Sequence, residues 1–451
     1  MLDTKSLNIL SQALEKLDFG FQNLPEFKPQ AVNDERFAQM LYATALKLQD
    51  NFPYFHPLYA GQMLKPPHPV ARLAYSLAMY INPNNHALDG GRATSALEKE
   101  AVAEIAAMFG WKEFIGHLCG GGTMANLEAL WVAGQIHRAK KILASEQAHY
   151  THKRISGVLQ IGFESVRCDD RGRMDLAALE TRVKKGDVGT VVATLGTTAT
   201  GSVDPLPEIL VLSKRYGFRV HVDTAYGGYF KLASNLGDLA KRAFQQIGEA
   251  DSIVIDPHKH GLQPYGCGCV LFRDAAVGKF YKHESPYTYF SSAELHLGEI
   301  SLECSRPGAA AAALWATQKL LPLVQGGEFA KGLEAGREAA LQFYARLKEE
   351  ENFAPAFEPE LDIIVFLPQE ESREKASARS RRIFNASAKR DLHLAVAELP
   401  VRFWGNVPFA NADSTDATVS CLRSVLMKPE HLAWVQPIWE RILQAYADTK
   451  S

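Results

Sequence analysis

Lys259 stands where a charged side chain is expensive, so its chemistry is the first question that the sequence raises. It lies in the stretch DPHKHGL, directly after the apolar run at 252–255, between His258 and His260. A free ammonium costs free energy at the end of a buried strand. Apolar surroundings favour the neutral amine, which can attack a carbonyl carbon. The position therefore indicates a function for Lys259 that its other surroundings must define, whereas it indicates no role for His260.

Three other stretches put polar side chains at the ends of predicted strands. Asp223, in VHVDTAYGG, suits a helix cap, a metal ligand or the partner of a cation. His149, in SEQAHYTHKR, is equally consistent with a purely structural histidine. The hydroxyls of Thr197 and Thr198, in TLGTTATGSVDPL, suit a turn as well as a binding site. Taken singly, none of these stretches decides a function.

A glycine-rich turn precedes a predicted helix in HLCGGGTMANLEALWVAG, at 117–134. Glycines let backbone N–H groups approach an anion, and the helix N-terminus favours negative charge. Gly122 and Thr123 are therefore candidate phosphate contacts, although a plain helix entry fits as well. The turn is not a nucleotide P-loop, because no Gly-Lys-Ser/Thr follows it. It is also not a dinucleotide fingerprint, because its glycines are consecutive and no clear strand precedes them.

These residues need a scaffold, and the pattern from about 115 onwards supplies one. Short β-rich runs (KILAS, SVRCD, TVVATLG, RVHVDTA, SIVIDPH, GCVLF) alternate with helical stretches such as LPEILVLSKRYG. This alternation predicts an α/β fold with a largely parallel central sheet, whose ligand lies beyond the carboxyl ends of the strands. We expect a helical segment at 1–80, a large domain at 81–325 and a smaller C-terminal α/β domain at 326–451.

Composition bounds the function. The chain has 451 residues and a formal net charge of −2, so neither nucleic acid nor a membrane is an expected partner. The first twenty residues lack the pattern of a signal peptide. Six cysteines include a C-x-C pair, Cys267 and Cys269, with no second pair to complete a zinc site. We expect reduced thiols, no metal and a cytoplasmic enzyme.

Together, the glycine turn, Asp223, His149 and Lys259 match the needs of pyridoxal 5′-phosphate. A glycine turn holds its phosphate, and a strand-end carboxylate (Asp223) keeps the pyridine nitrogen protonated so that the ring accepts electrons. His149 would lie flat on the ring, and Lys259 would form a Schiff base with the aldehyde.

The chain resembles the group II pyridoxal-phosphate-dependent amino acid decarboxylases of fold type I, which include glutamate, aromatic-amino-acid and tyrosine/aspartate decarboxylases. The resemblance covers roughly 50–440 and rests on six motifs in the family's order: GGGTMANLEA, SEQAHYTHKR, ATLGTTATGSVDPL, HVDTAYGG, DPHKHGL and CSRPGAAAAALWA. It implies the cofactor roles given above for Lys259, Asp223 and His149. It further implies that Ala225 packs on the opposite face of the ring, that His258 contacts phosphate and that Thr198 lies near the ring hydroxyl.

The resemblance also suggests residues outside these motifs. Tyr287, in a loop that also offers His283 and Tyr289, is the expected proton donor, although these side chains could equally pack the loop. Arg423 is expected to bind the substrate carboxylate, with a plain salt bridge as the alternative. Asn84 is a candidate substrate contact. Family members are homodimers with the active site at the interface, and Ser305 is expected to reach the partner's phosphate.

The implied reaction is decarboxylation of an L-amino acid to its amine and CO2, through an external aldimine and a quinonoid. The aromatic side chains of the stretch 52–64 favour an aromatic or bulky substrate slightly over an acidic one. An aldehyde lyase or a transaminating relative would use the same cofactor to break a different bond. A catalytically inactive scaffold is disfavoured, because Lys259, Asp223 and His149 are all present.

Overall fold

The fold is built on two β-sheets, seen in a computed structural model that describes residues 4–28, 33–282, 301–410 and 417–449. The larger sheet has seven strands in the order β1-β7-β6-β5-β4-β2-β3. Only β7 runs antiparallel to its neighbours. Its strands are β1 Ile115–Cys119, β2 Lys141–Ser145, β3 Phe163–Val166, β4 Val188–Thr194, β5 Arg219–Thr224, β6 Ser252–Ile255 and β7 Gly268–Phe272. The predicted α/β fold with a mostly parallel central sheet is confirmed.

The central strands are short, apolar and buried along their length. All seven residues of β4 are buried, as are all four of β6. Such continuous burial is expected where helices cover both faces of a parallel sheet. The helices from the N-terminus to the end of this sheet are α1 Thr4–Phe19, α2 Asp34–Leu48, α3 Pro69–Met79, α4 Arg92–Met108, α5 Gly122–Ile136, α6 Thr151–Val158, α7 Leu176–Val183, α8 Leu206–Tyr216, α9 Asp238–Gln245 and α10 Gly278–Tyr281.

The smaller domain carries a four-stranded antiparallel sheet in the order β10-β11-β9-β8. Its strands are β8 Phe353–Pro355, β9 Ile363–Pro368, β10 Ala395–Pro400 and β11 Thr418–Val425. Helix α11 Gly308–Leu320 packs into the core of the larger sheet, and the helices of the smaller domain are α12 Glu328–Glu349, α13 Arg373–Ala388 and α14 His431–Ala447. A core that includes Phe343, Phe366 and Trp439 joins α12 and α14 to the sheet. The smaller C-terminal α/β domain is therefore confirmed.

The N-terminal segment makes contacts with both domains. Helix α3 packs against α11. Further along, the N–H of Ala60 donates to His393 O at 2.9 Å, and the N–H of Val425 donates to Ala60 O at 2.7 Å. The stretch around residue 60 is thus hydrogen-bonded into the smaller domain. No helix in the described ranges is both long and apolar enough to cross a membrane.

Two local expectations were wrong. A strand, β1, does precede the glycine turn; its short apolar core beside a glycine and a histidine hid it in the sequence. In addition, the stretch TSALEKEA predicts a helix start at Thr94 or Ser95 with Glu98 as the capping partner three positions after Ser95, whereas α4 begins at Arg92 after Gly91. Glu98 is buried instead, where it accepts bonds from Asn85 Nδ2 (2.6 Å) and the Leu118 N–H (2.9 Å) and pairs with Arg306. Its tertiary partners outweigh any local cap.

Candidate active site

A cavity of about 560 Å³ lies where β4, β5 and β6 end and α5 begins. This is the edge at which a parallel α/β sheet binds its ligands. Eight of the residues predicted from the sequence line it together: Gly122, Thr123, His149, Thr198, Asp223, Ala225, His258 and Lys259. The fold thus brings into one place residues that are up to 137 positions apart in the chain.

The glycine turn between β1 and α5 is shaped for a close approach to its backbone. Gly121 has φ of +144°, and a Cβ there would lie 3.1 Å from Cε1 of His258. A Cβ on Gly122 would lie 2.7 Å from Asp256 Oδ2. The N–H of Gly120 already donates to a carboxylate oxygen, Glu303 Oε2, at 2.8 Å. Glycine is therefore required at 121 and 122, and the turn can bind an anion.

Asp223 is buried just before the end of β5 and is held by three donors. Its Oδ2 bonds His152 Nε2 at 2.8 Å and the Asn126 side-chain amide at 3.4 Å. Its Oδ1 accepts the N–H of Ala225 at 3.0 Å. Burial alone would raise the pKa of this carboxyl, but the bond and charge of His152, with the Ala225 N–H, hold the pKa well below its usual range. The site therefore presents a fixed anion.

Lys259 follows β6 after three intervening residues and is partly open to the cavity. Its Nζ lies 3.1 Å from Asp256 Oδ2, and His258 Nε2 lies 3.5 Å from the same oxygen. The expectation of apolar surroundings for this amine is therefore wrong, since a buried carboxylate faces it. Burial lowers the pKa of His258, whose Nδ1 has no hydrogen-bond partner among the described residues.

His149 and His152 come from consecutive parts of one helix start. His149 lines the cavity, its Nδ1 accepts the N–H of Thr151 at 3.3 Å, and its ring packs on Tyr150. Burial lowers the pKa of His149, which favours the neutral ring. His152, three residues on, is fully buried behind Asp223.

Arg423 lies outside the cavity lining and is occupied by backbone carbonyls. Its Nη2 donates to Thr198 O at 2.7 Å, its Nε to Ala199 O at 3.1 Å and its Nη1 to Gly61 O at 3.1 Å. These bonds join β11 of the smaller domain to the turn after β4. They leave little donor capacity for a substrate carboxylate, so that role stays a prediction.

Asn84 and Ser305, two further predicted residues, do not line the cavity in this chain. Asn84 donates to Ser305 Oγ at 3.1 Å, so the two contact each other. Tyr287, with His283 and Tyr289, lies outside the described residues. The stretch 52–64 was expected to line the substrate pocket. Among its residues, Tyr59 instead packs on Tyr54 and on His393 of the smaller domain.

Sequence reasoning missed four residues of the site. Asp256, His152, Asn126 and Glu303 each make a contact described above. Asp256 begins the quoted DPHKHGL stretch, and His152 lies three positions after His149, which is the spacing of one helical turn. Those two had a local signal. Asn126 lies four positions after Gly122 in the quoted glycine stretch and donates to its carbonyl, so it too had a local signal. Glu303 had none, because it reaches the site only through tertiary packing.

The fold is that of an α/β protein, and the cavity described above combines a lysine, a buried carboxylate and a turn that can bind an anion. This combination is typical of an enzyme site. The structure aligns over 99% of its length with mouse CSAD in apo form (TM-score 0.79, 21% identity, 93% of that chain). It aligns over its whole length with Oryza sativa TDC crystallised with PLP and tryptamine (TM-score 0.79, 16% identity, 99% of that chain). At these identities the likeness shows the fold.

The sequence comparisons identify the family. The pyridoxal-dependent decarboxylase conserved domain matches residues 51–368, so the chain belongs to this family. A probable L-tyrosine/L-aspartate decarboxylase of Methanothermobacter thermautotrophicus is 30% identical over 316 residues, covering 68% of this chain and 82% of the relative. The L-tyrosine decarboxylase of Enterococcus faecium is 27% identical over 390 residues, covering 64% of each protein. The match thus spans less than two thirds of the bacterial enzyme's length.

The residues present fit pyridoxal phosphate, the cofactor that the family name implies. The glycine turn would clash with a Cβ at 121 or 122, and the unpartnered Nδ1 of His258, which is only partly exposed, lies beside it. Both features suit a phosphate group. Asp223 offers a fixed anion for a pyridinium N–H, and the Lys259 amine opens on the same cavity.

Proposed function

We propose that this protein decarboxylates an L-amino acid with pyridoxal 5′-phosphate as its cofactor, releasing CO2 and the corresponding amine. The observation that carries the proposal is the convergence of Lys259, Asp223 and the glycine turn on one cavity, in a chain that belongs to the pyridoxal-dependent decarboxylase family. When bound, the cofactor supplies an electron sink for the bond that breaks at Cα.

Each residue of the cavity has a proposed task. The N–H groups around Gly122, the Thr123 hydroxyl and His258 bind the phosphate. Lys259 provides the amine that binds the cofactor covalently and exchanges with the substrate amine.

The remaining cavity residues orient the ring. Asp223 holds a proton on the pyridine nitrogen, because a fixed carboxylate favours the charged form of a base beside it. His149 and Ala225 confine the ring, and Thr198 lies near its hydroxyl.

Four further assignments rest on the resemblance alone. We keep Tyr287 as the proton donor, Asn84 and Arg423 as substrate contacts, and Ser305 as a phosphate contact toward a partner subunit. Of these, Arg423 has the weakest geometric support, because backbone carbonyls already take most of its donors.

We propose an aromatic or acidic L-amino acid as the substrate. The relatives support both, since they are named tyrosine, tyrosine/aspartate and aspartate decarboxylases. An aldehyde lyase or a transaminating enzyme is the alternative within the same cofactor chemistry, and an aldehyde product formed without CO2 would favour it.

We propose that the working form is a homodimer. Helices α1 and α2 have no buried residue, although they carry large apolar side chains. Among these, Phe19 is 67% exposed and Tyr42 is 69% exposed. Phe27, in the segment between the two helices, is 83% exposed. Monomeric proteins rarely expose apolar side chains in such number, so a second copy would cover them. A cytoplasmic location stays a prediction; the described cysteines are unpaired.

The test is release of CO2 from each of the twenty amino acids by the cofactor-loaded protein, with the amine identified as the second product. We expect release from one aromatic or acidic amino acid. In Lys259→Ala both the reaction and the visible absorbance of the covalently bound cofactor should be lost. Absence of CO2 from every amino acid, with cofactor bound, would overturn the decarboxylase proposal, and light scattering tests the dimer.

A further inference from the structure

His152 is a buried histidine whose side chain has one hydrogen-bond partner among the described residues, the carboxylate of Asp223. The His152 ring is fully buried, its Nε2 lies 2.8 Å from Asp223 Oδ2, and its Nδ1 has no partner in the described chain. A buried polar side chain with half of its capacity unused costs stability. The hydrogen bond to Asp223 therefore indicates that the function of His152 lies in its effect on that carboxylate.

The neighbouring contacts form a polar layer behind Asp223. Asn126 donates to Gly122 O at 2.8 Å and to Asp223 Oδ2 at 3.4 Å, and its own Oδ1 bonds His221 Nε2 at 2.8 Å. The Nδ1 of His221 bonds Ser252 Oγ at 2.8 Å. This layer links the start of α5 to β5 and β6, so it positions the carboxylate from several elements at once.

We propose that His152 is a positioning residue: by donating from Nε2 to Asp223 Oδ2, it fixes the carboxylate as an anion aimed at the ring nitrogen of the cofactor. The proposal rests on the role assigned to Asp223 above. The structure supplies a physical reason, because a donor on the carboxylate stabilises its ionised form in a buried place where a carboxyl would otherwise hold a proton.

Other titratable groups share these surroundings and must be counted. His221 faces Asp223 from β5 itself, and His149 faces it from the start of α6. Lys259 and Asp256 line the same cavity from the end of β6. None of these four has a hydrogen bond to the Asp223 carboxylate within the described ranges, whereas His152 has one. His152 is therefore the group whose removal should change the basicity of Asp223 most.

The test compares His152→Leu, which keeps bulk and removes the donor, with His152→Gln, whose amide can still donate. Each variant is loaded with cofactor labelled with 15N in its ring, and the 15N resonance is followed against pH. In His152→Leu we expect Asp223 to become more basic and to take a larger share of the proton it holds with the ring nitrogen, so the 15N resonance should shift toward that of an unprotonated ring nitrogen. We also expect the dissociation constant of the cofactor to rise about tenfold. His152→Gln should restore most of both.

Two controls separate the outcomes. His137→Leu removes a partly buried histidine that does not line the cavity and should leave both readouts unchanged. Asp223→Ala should move the 15N resonance further than either His152 variant. If it does and His152→Leu resembles the wild type, the inference about His152 is wrong while the proposed function stands. If Asp223→Ala has no effect, the assignment of Asp223 fails. If His152→Leu does not fold, His152→Ala takes its place. The inference would then be overturned by an unshifted 15N resonance in His152→Ala, or by equal shifts in His152→Ala and His152→Gln.

Discussion

The Nζ of Lys259 lies 3.1 Å from Oδ2 of Asp256, a carboxylate that is itself 2% exposed. Asp256 is the first residue after β6, and the Lys259 N–H bonds its carbonyl at 2.9 Å. The turn that places the lysine in the cavity thus also supplies its counter-ion. In the cofactor-free protein, each of the two charges reduces the cost of burying the other.

The Lys259–Asp256 pair should be measurable in the stability of the cofactor-free protein. Lys259→Met leaves the buried carboxylate without its cation, and we expect the free energy of unfolding to fall by about 1–3 kcal/mol. The figure is below that of a fully buried pair because the Lys259 side chain is 22% exposed. The double variant Lys259→Met/Asp256→Asn should regain most of the loss. Equal losses in both variants, measured by urea unfolding, would contradict an ion pair.

Much of this site could be predicted because its chemistry sits at strand ends. Asp223 and Lys259 follow short apolar runs that have few alternatives to buried parallel strands, and such runs end at the same edge of a sheet. The glycines before α5 are equally readable, since a positive φ at Gly121 and the closeness of Asp256 to Gly122 leave no room for another residue.

The partners of these residues could not be predicted in the same way. Glu303 reaches Gly120 across 183 positions, and Arg423 reaches Thr198 across 225. Neither pairing leaves a periodicity or spacing in the sequence, because side-chain contacts between distant elements depend on the packed fold. Arg423 shows the consequence: its charge suggested a substrate anchor, while its contacts join two domains.

Arg423 should therefore matter for stability before it matters for substrate. Arg423→Met removes the donor from the carbonyls of Thr198, Ala199 and Gly61, and we expect the free energy of unfolding to fall by about 2–4 kcal/mol. Arg423→Lys can donate to only some of these carbonyls, so its free energy of unfolding should lie between those of the wild type and Arg423→Met. Denaturant unfolding measures the change. If both variants keep wild-type stability but raise KM strongly, the substrate role is correct and the structural one is not.

Two buried neutral histidines should make the protein sensitive to acid. His431 Nδ1 accepts the Lys428 N–H at 3.1 Å, and its Nε2 bonds Pro57 O at 3.0 Å, so the ring has no place for a second proton. Burial, followed by the charge of Lys428, lowers the pKa of His431 from 6.5 to about 3. Burial likewise lowers the pKa of His221 to about 3.

The sign of the pH effect follows from these pKa values. Below pH 6.5 the unfolded chain binds a proton at each of these two histidines, whereas the folded protein does not bind it until the pH falls to about 3. The contribution of these two histidines to the free energy of unfolding is therefore fully present above pH 6.5. Below that pH it falls by about 1.4 kcal/mol per pH unit for each histidine. Urea unfolding at a series of pH values should show this slope, and His431→Asn should reduce it by one proton. An unchanged slope in that variant would mean that His431 is not the group responsible.

Glu303 should weaken the binding of phosphate at the glycine turn. Its Oε2 accepts the Gly120 N–H at 2.8 Å, so a carboxylate stands at the N-terminus of α5 where the cofactor phosphate is proposed to bind. Two anions there repel each other, and the phosphate must also replace the bond to Gly120. Glu303→Gln removes the charge, and we expect the dissociation constant of inorganic phosphate to fall about two- to fivefold at low ionic strength. Glu349→Gln, an exposed site on α12, is the matched control and should change nothing. Isothermal titration of the cofactor-free protein with phosphate measures both variants, and a weaker or unchanged affinity in Glu303→Gln would show that its carboxylate does not compete.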